Sequence, residues 1–130
     1  MRQLKAYRVA AAIAGLAAVG LVACASSRSS AGSAGSSCGT TRTGANVPVV
    51  IKVVRGNVDC GTVMRVEDSY ATMIKDGKVP GNGGGAPVSV NGWVCEGYPT
   101  PEVLRTGDAS QCHTTSAEVV AVLALPSPGS

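Results

Sequence analysis

The stretch DCGTVMRVEDSYATMIKDG, residues 59–77, decides the fold. Asp59 stands where a helix begins, and its carboxylate can accept from the orphan N–H groups of a first turn. Val63, Val66, Tyr70, Met73 and Ile74 then recur at helical spacing and define one apolar stripe. Gly77 suits the position just past a helix end. The pattern predicts a helix over roughly Cys60 to Asp76. Arg65, Glu67, Asp68 and Lys75 are assigned to its solvated side. Glu67 and Asp68 are adjacent, but neighbouring helical residues do not face each other, so no acid/base pair is expected from them.

Upstream, Val47 to Arg55 reads as a strand. Val49, Ile51 and Val53 alternate with Val50, Lys52 and Val54, mostly β-branched on both faces, and Pro48 sits at the start, where its missing N–H costs least. Gly56-Asn57 turns the chain toward the helix. Downstream, Gly-Asn-Gly-Gly-Gly at 81–85 has no Lys-Ser/Thr ending, so it is expected to be a mobile surface loop and not a phosphate cradle. Asn91-Gly92 between Val88–Val90 and Trp93–Cys95 predicts a tight hairpin, because both central residues tolerate positive φ. Pro99 to Gly107 is a connection in which Thr100-Pro101-Glu102 starts one helical turn. Strands through Gln111–Thr114 and Val119–Leu125 follow, and 126–130 reads as a disordered tail. The expected architecture is α+β: a small disulfide-braced domain over 47–125, one helix packed on an antiparallel sheet of about four to five strands. Trp93 is expected beneath the helix, near Tyr70.

The amino terminus has a different character. Arg2, Lys5 and Arg8 precede an uncharged run from Val9 to Ala23, the charge order of a secretory signal. The run is short of the roughly 20 apolar residues of a membrane span. Leu21-Val22-Ala23-Cys24 resembles the lipobox of bacterial lipoproteins. That resemblance implies removal of the signal 1–23 and a diacylglycerol thioether on Cys24. Residues 24–46 are mostly Ser, Gly, Ala and Thr and are expected to form a lipidated, flexible tether.

Removing 1–23 changes the charge. Of 11 Lys and Arg, three lie in the signal, and all 8 Asp and Glu lie beyond it, which leaves a formally neutral mature chain. Nucleic acid is therefore not an expected partner, and only Tyr70, Trp93 and Tyr98 remain to stack on bases. Cys38, Cys60, Cys95 and Cys112 form an even set in an exported chain, read as two disulfides. Three pairings are possible; Cys38–Cys60 and Cys95–Cys112 are favoured because each joins neighbouring segments. Their spacing is wrong for zinc, since there is no Cys-x-x-Cys. The single histidine, His113, adjoins a bridged cysteine and reads as a strand-end residue. No nucleophile elbow or calcium loop is present. No catalytic residue, metal or cofactor is expected.

Cys60, Tyr70, Gly92-Trp93-Val94-Cys95 and Cys112 are similar to the pattern of small actinobacterial and mycobacterial envelope lipoproteins. The resemblance implies a disulfide-braced domain and carries no catalytic residue. The expected function is a non-enzymatic binding or accessory module. Its anchor at Cys24 would hold it to the extracytoplasmic face of the cell membrane, acting on an envelope protein or lipid. The alternative is a small carrier of lipids or other hydrophobes, with a pocket between helix and sheet.

Overall fold

The structure is a computed structural model that describes residues 30–81 and 85–125. The signal segment, Cys24, the first residues of the expected tether, the middle of the glycine loop and the tail 126–130 lie outside the described residues. Among the described residues no helix is long and apolar enough to cross a membrane.

The chain runs β1 (Ala31–Ser33), β2 (Ser37–Arg42), β3 (Pro48–Arg55), β4 (Asn57–Asp59), α1 (Cys60–Lys75), β5 (Val88–Val90), β6 (Trp93–Gly97), α2 (Thr100–Thr106), β7 (Asp108–His113) and β8 (Glu118–Leu123). Six strands form one antiparallel sheet in the order β2-β3-β8-β7-β6-β5, and β1 pairs with β4 in a separate ribbon. The class is the expected α+β, with one more helix and more strands than the sequence pattern gave.

Helix α1 begins as its sequence dictates. Asp59 Oδ2 accepts from the Thr62 N–H at 3.0 Å and from Thr62 Oγ1 at 2.7 Å. Asp76 caps the other end, and Gly77 follows at φ +68. Val63, Val66 and Tyr70 of the apolar stripe are buried together with Cys60 and Ala71, while Met73 and Ile74 are half-buried. The β5–β6 turn has Asn91 at φ 49 and Gly92 at φ 84, the two positive angles that an Asn-Gly hairpin requires. Trp93 is 9% exposed and shares one core cluster with Tyr70, Val90 and the α1 valines.

Both disulfides have the expected partners. Cys38 joins Cys60, tying β2 to the first residue of α1, and Cys95 joins Cys112 across directly opposed positions of β6 and β7. Each closes a loop of about 20 residues, worth roughly 3 kcal/mol in the chain-entropy picture.

Two expectations need correction. The first is the tether. Ala31–Ser33 and Ser37–Arg42 are strands, so this part of the expected tether belongs to the folded domain. Composition hides this because the segment does not rely on burying large side chains. It is held by main-chain pairing of β2 with β3, by the Cys38 bridge, and by close contact at Gly32, where an added Cβ would lie 3.0 Å from Cys60 Sγ and Val53 Cγ2. The second correction concerns Glu67. It is not on a solvated face; it is 4% exposed, and of the acidic pair only Asp68 reaches solvent.

Candidate functional site

The alternation of each strand assigns side chains to an inner face beneath α1 and an outer face. On the inner face, register builds two adjacent rows across the sheet. One row is Val53, Val119, Cys112, Cys95 and Val88; the next is Ile51, Ala121, Ser110 and Gly97. The first row is packed with branched side chains and a disulfide. The second row ends in three small residues, and this leaves space under the carboxyl-terminal half of α1.

That space is a cleft of about 570 Å³. Its floor is Val49, Ala121, Ser110 and Gly97, and its roof is Glu67, Tyr70, Ala71 and Ile74 of α1. The walls are the β2–β3 connection around Thr43–Val47 on one side and Pro99, Thr100 and Val103 at the start of α2 on the other. One wall is held close by the absence of a side chain. An added Cβ at Gly44 would lie 2.5 Å from Ile74 Cγ2, so only glycine lets this connection seat against the helix. The volume falls within the ~300–1,000 Å³ typical of small-molecule sites.

The roof of the cleft carries a charge problem. Glu67 Oε1 is buried and has no hydrogen-bond partner among the described residues. Burial first, then the neighbouring Asp68 carboxylate, raises the Glu67 carboxyl from 4.5 to about 7. Leaving such an acceptor unmatched costs about 1–3 kcal/mol, which is why buried polar groups are nearly always paired. Tyr70 lies one turn on; burial, then Glu67, then Glu96, pushes its phenol up to about 12. Asp68, by contrast, faces solvent and accepts from Thr41 Oγ1 at 2.6 Å, linking α1 to β2.

Tyr98 marks the floor's edge, but its phenol belongs to a network of another kind. It donates to Gln111 Oε1 at 2.9 Å, and Gln111 Nε2 in turn donates to Glu96 Oε1. Gln111 and Glu96 are register partners that alternate with the buried Cys112 and Cys95, which puts the network on the outer face. Burial, then Asp108, Glu118, Glu96 and Glu102, raises the Tyr98 phenol. His113 ends β7 opposite Val94 and Glu118 on that same outer face, away from Glu67.

Sequence reading therefore placed the four bridged cysteines and missed the cleft residues. The signal for Glu67 was present: Val63, Glu67, Tyr70 and Ile74 are spaced by four, three and four, so the carboxylate lies on the apolar stripe itself. Among the described residues no group of three or more metal-ligating side chains comes together. No protein-family model, no curated protein and no solved structure matches this chain.

Proposed function

We propose that this protein is a binding module of the cell envelope that holds a small, mainly apolar molecule in the cleft between α1 and the sheet. The observation that carries the reading is the 570 Å³ space over Ala121, Ser110 and Gly97, lined elsewhere by Val49, Ile74 and Leu123. It favours the carrier form of a non-enzymatic module over a module that meets a protein partner on a flat surface. Catalysis is not part of the reading. One carboxyl in an apolar cleft, with the histidine on the other face of the sheet, supplies no nucleophile–base pair.

The energetics set the expected affinity. Burying about eight methylenes contributes roughly 6 kcal/mol at ~0.8 kcal/mol each, before the costs of association. Affinities for simple alkyl probes should therefore fall in the micromolar-to-millimolar range, about −4 to −8 kcal/mol.

Anchoring through Cys24 belongs to the same proposal and rests on Leu21-Val22-Ala23-Cys24. Two acyl chains give stable membrane attachment where one is marginal. With β1 starting at Ala31, the link from Cys24 reaches at most about 25 Å when fully extended. β1 pairs with β4 at the amino-terminal end of α1, whereas the cleft lies under the opposite half of the helix. In this reading the cleft lies under the half of α1 away from the anchored strand, available to a second envelope component.

Two measurements test the proposal. Intact mass of the exported protein should show cleavage before Cys24 and added lipid, and Cys24→Ser should lack both; a mature wild-type chain without lipid mass refutes the anchor. A solvatochromic apolar dye should bind at one site and be displaced by alkyl compounds. Ala121→Leu, which fills the floor, should abolish binding, and dye binding untouched by that substitution refutes the cleft.

A further inference from the structure

We infer that the cleft selects a mainly apolar molecule ending in a protonated amine, held at the Glu67 carboxylate; the inference rests on the cleft being a ligand site. The side chain is 4% exposed and lines the cavity, and its Oε1, closed off from solvent, has no hydrogen-bond partner among the described residues. An acceptor in that position is complementary to a donor brought by the ligand.

The surroundings choose the kind of donor. Glu67 lies mid-way along the 16-residue α1, out of reach of the partial positive charge at the helix start. On its own helix, Asp68 is the neighbouring charge and has the same sign, and Tyr70 is a neutral phenol. From the sheet, Glu96 adds negative potential at Tyr70. From the β2–β3 side, Arg42 is the one cation among the described lining residues. It is exposed, and its Nη1 donates to the Asn46 carbonyl at 2.9 Å. The described residues thus surround a buried carboxyl with apolar groups and like charge, and the one lining cation, Arg42, is engaged by the Asn46 carbonyl. A ligand ammonium would supply the countercharge, with a charge-assisted hydrogen bond to the carboxylate. A ligand carboxylate would meet Glu67 and Asp68 as repulsion. An alcohol would donate to the carboxylate without relieving the charge.

The test is a titration of the full chain, purified with both disulfides formed, against octylamine, 1-octanol and octanoate at pH 6 and pH 8. The three probes share one apolar body and differ only at the polar end. At pH 8 octylamine should bind at least about tenfold more tightly than 1-octanol, with octanoate weakest. Because the Glu67 carboxyl titrates near 7 while the amine stays protonated, amine affinity should rise about tenfold from pH 6 to pH 8. Octanol affinity should change little. Glu67→Gln should lose the amine preference and its pH dependence while still binding octanol. Should that variant fold poorly, the wild-type pH profile decides the matter alone. Octanoate binding as tightly as octylamine, or an amine affinity flat with pH, overturns the amine inference and leaves the cleft as a site for apolar bodies. Failure of all three probes to bind overturns the cleft reading itself.

Discussion

Two neighbouring rows of the same sheet, one packed and one hollow, divide the labour of this domain. The row of Val53, Val119, Cys112, Cys95 and Val88 is filled, with a disulfide at its centre and Trp93 beside it in the same core cluster. The row of Ile51, Ala121, Ser110 and Gly97 lies one register step away and faces the same helix, but leaves about 570 Å³ open. The same strands run through both rows, and the small side chains of Gly97, Ser110 and Ala121 leave the second one open. Native interiors are packed about as densely as organic crystals, and an open cleft of this size forgoes packing contacts that the filled half must supply. The two disulfides act at that filled end, where β2 meets α1 and where β6 meets β7.

The largest effect should come from the filled half. Trp93→Ala removes the largest side chain of the core cluster and should cost about 3–5 kcal/mol. Against a typical net stability of about 5–15 kcal/mol, that leaves a marginal domain. Urea unfolding of the oxidised protein should show a sharply lowered midpoint with the disulfides intact. A loss below about 1 kcal/mol would mean that the two rows are not distinct in packing, and the comparison would fail.

The hollow half should instead reveal itself through pH. Between pH 4.5 and about 7 the folded state keeps a proton on Glu67 that the unfolded chain has released. The folded state binds more protons in that window, so stability falls as pH rises across it. The difference corresponds to about 3 kcal/mol, absent below pH 4.5 and complete above about 7. Unfolding at pH 5 and pH 8 measures it. Glu67→Gln should flatten this slope and be more stable than wild type at pH 8. A wild-type slope unchanged by that substitution would assign the pH dependence to other groups and remove the charge problem from the cleft.

What could be read from the chain follows the same division. The filled half announces itself: β-branched alternation in β3, the Asp59 cap, the Asn-Gly turn and an even set of cysteines are local signals, and each became the expected element or pair. Space is not a local signal. Gly97, Ser110 and Ala121 lie on three different strands, and only the register brings them into one row. Glu67 was the legible exception. Its helical spacing put it on the apolar stripe, but a charged residue is ordinarily solvent-exposed, and that prior assigned it to the wrong face. The tether was misjudged for a related reason. β2 gains its order from partners far along the chain, β3 and Cys60, and its own Ser, Gly and Thr residues carry no sign of it.

The smallest effect gives the sharpest comparison, since it places the same side chain, leucine, in each row. Val119 and Ala121 are two residues apart on β8 and point to the same face; both are almost completely buried, and they stand opposite Cys112 and Ser110 respectively. Val119→Leu forces an extra methylene into a filled row and should cost about 1–3 kcal/mol through off-rotamer packing. Ala121→Leu adds more volume, yet the cleft can receive it, so the apolar area it buries offsets its ordering cost and stability should change by less than about 1 kcal/mol. The larger insertion should thus be the better tolerated, against the usual order for buried positions. Paired thermal unfolding curves measure the difference, and dye binding by the same two proteins completes it. Val119→Leu should retain the ligand site, and Ala121→Leu should lose it. If Ala121→Leu is instead the more destabilising of the two, the floor of Gly97, Ser110 and Ala121 is filled in solution, and the proposed site does not exist.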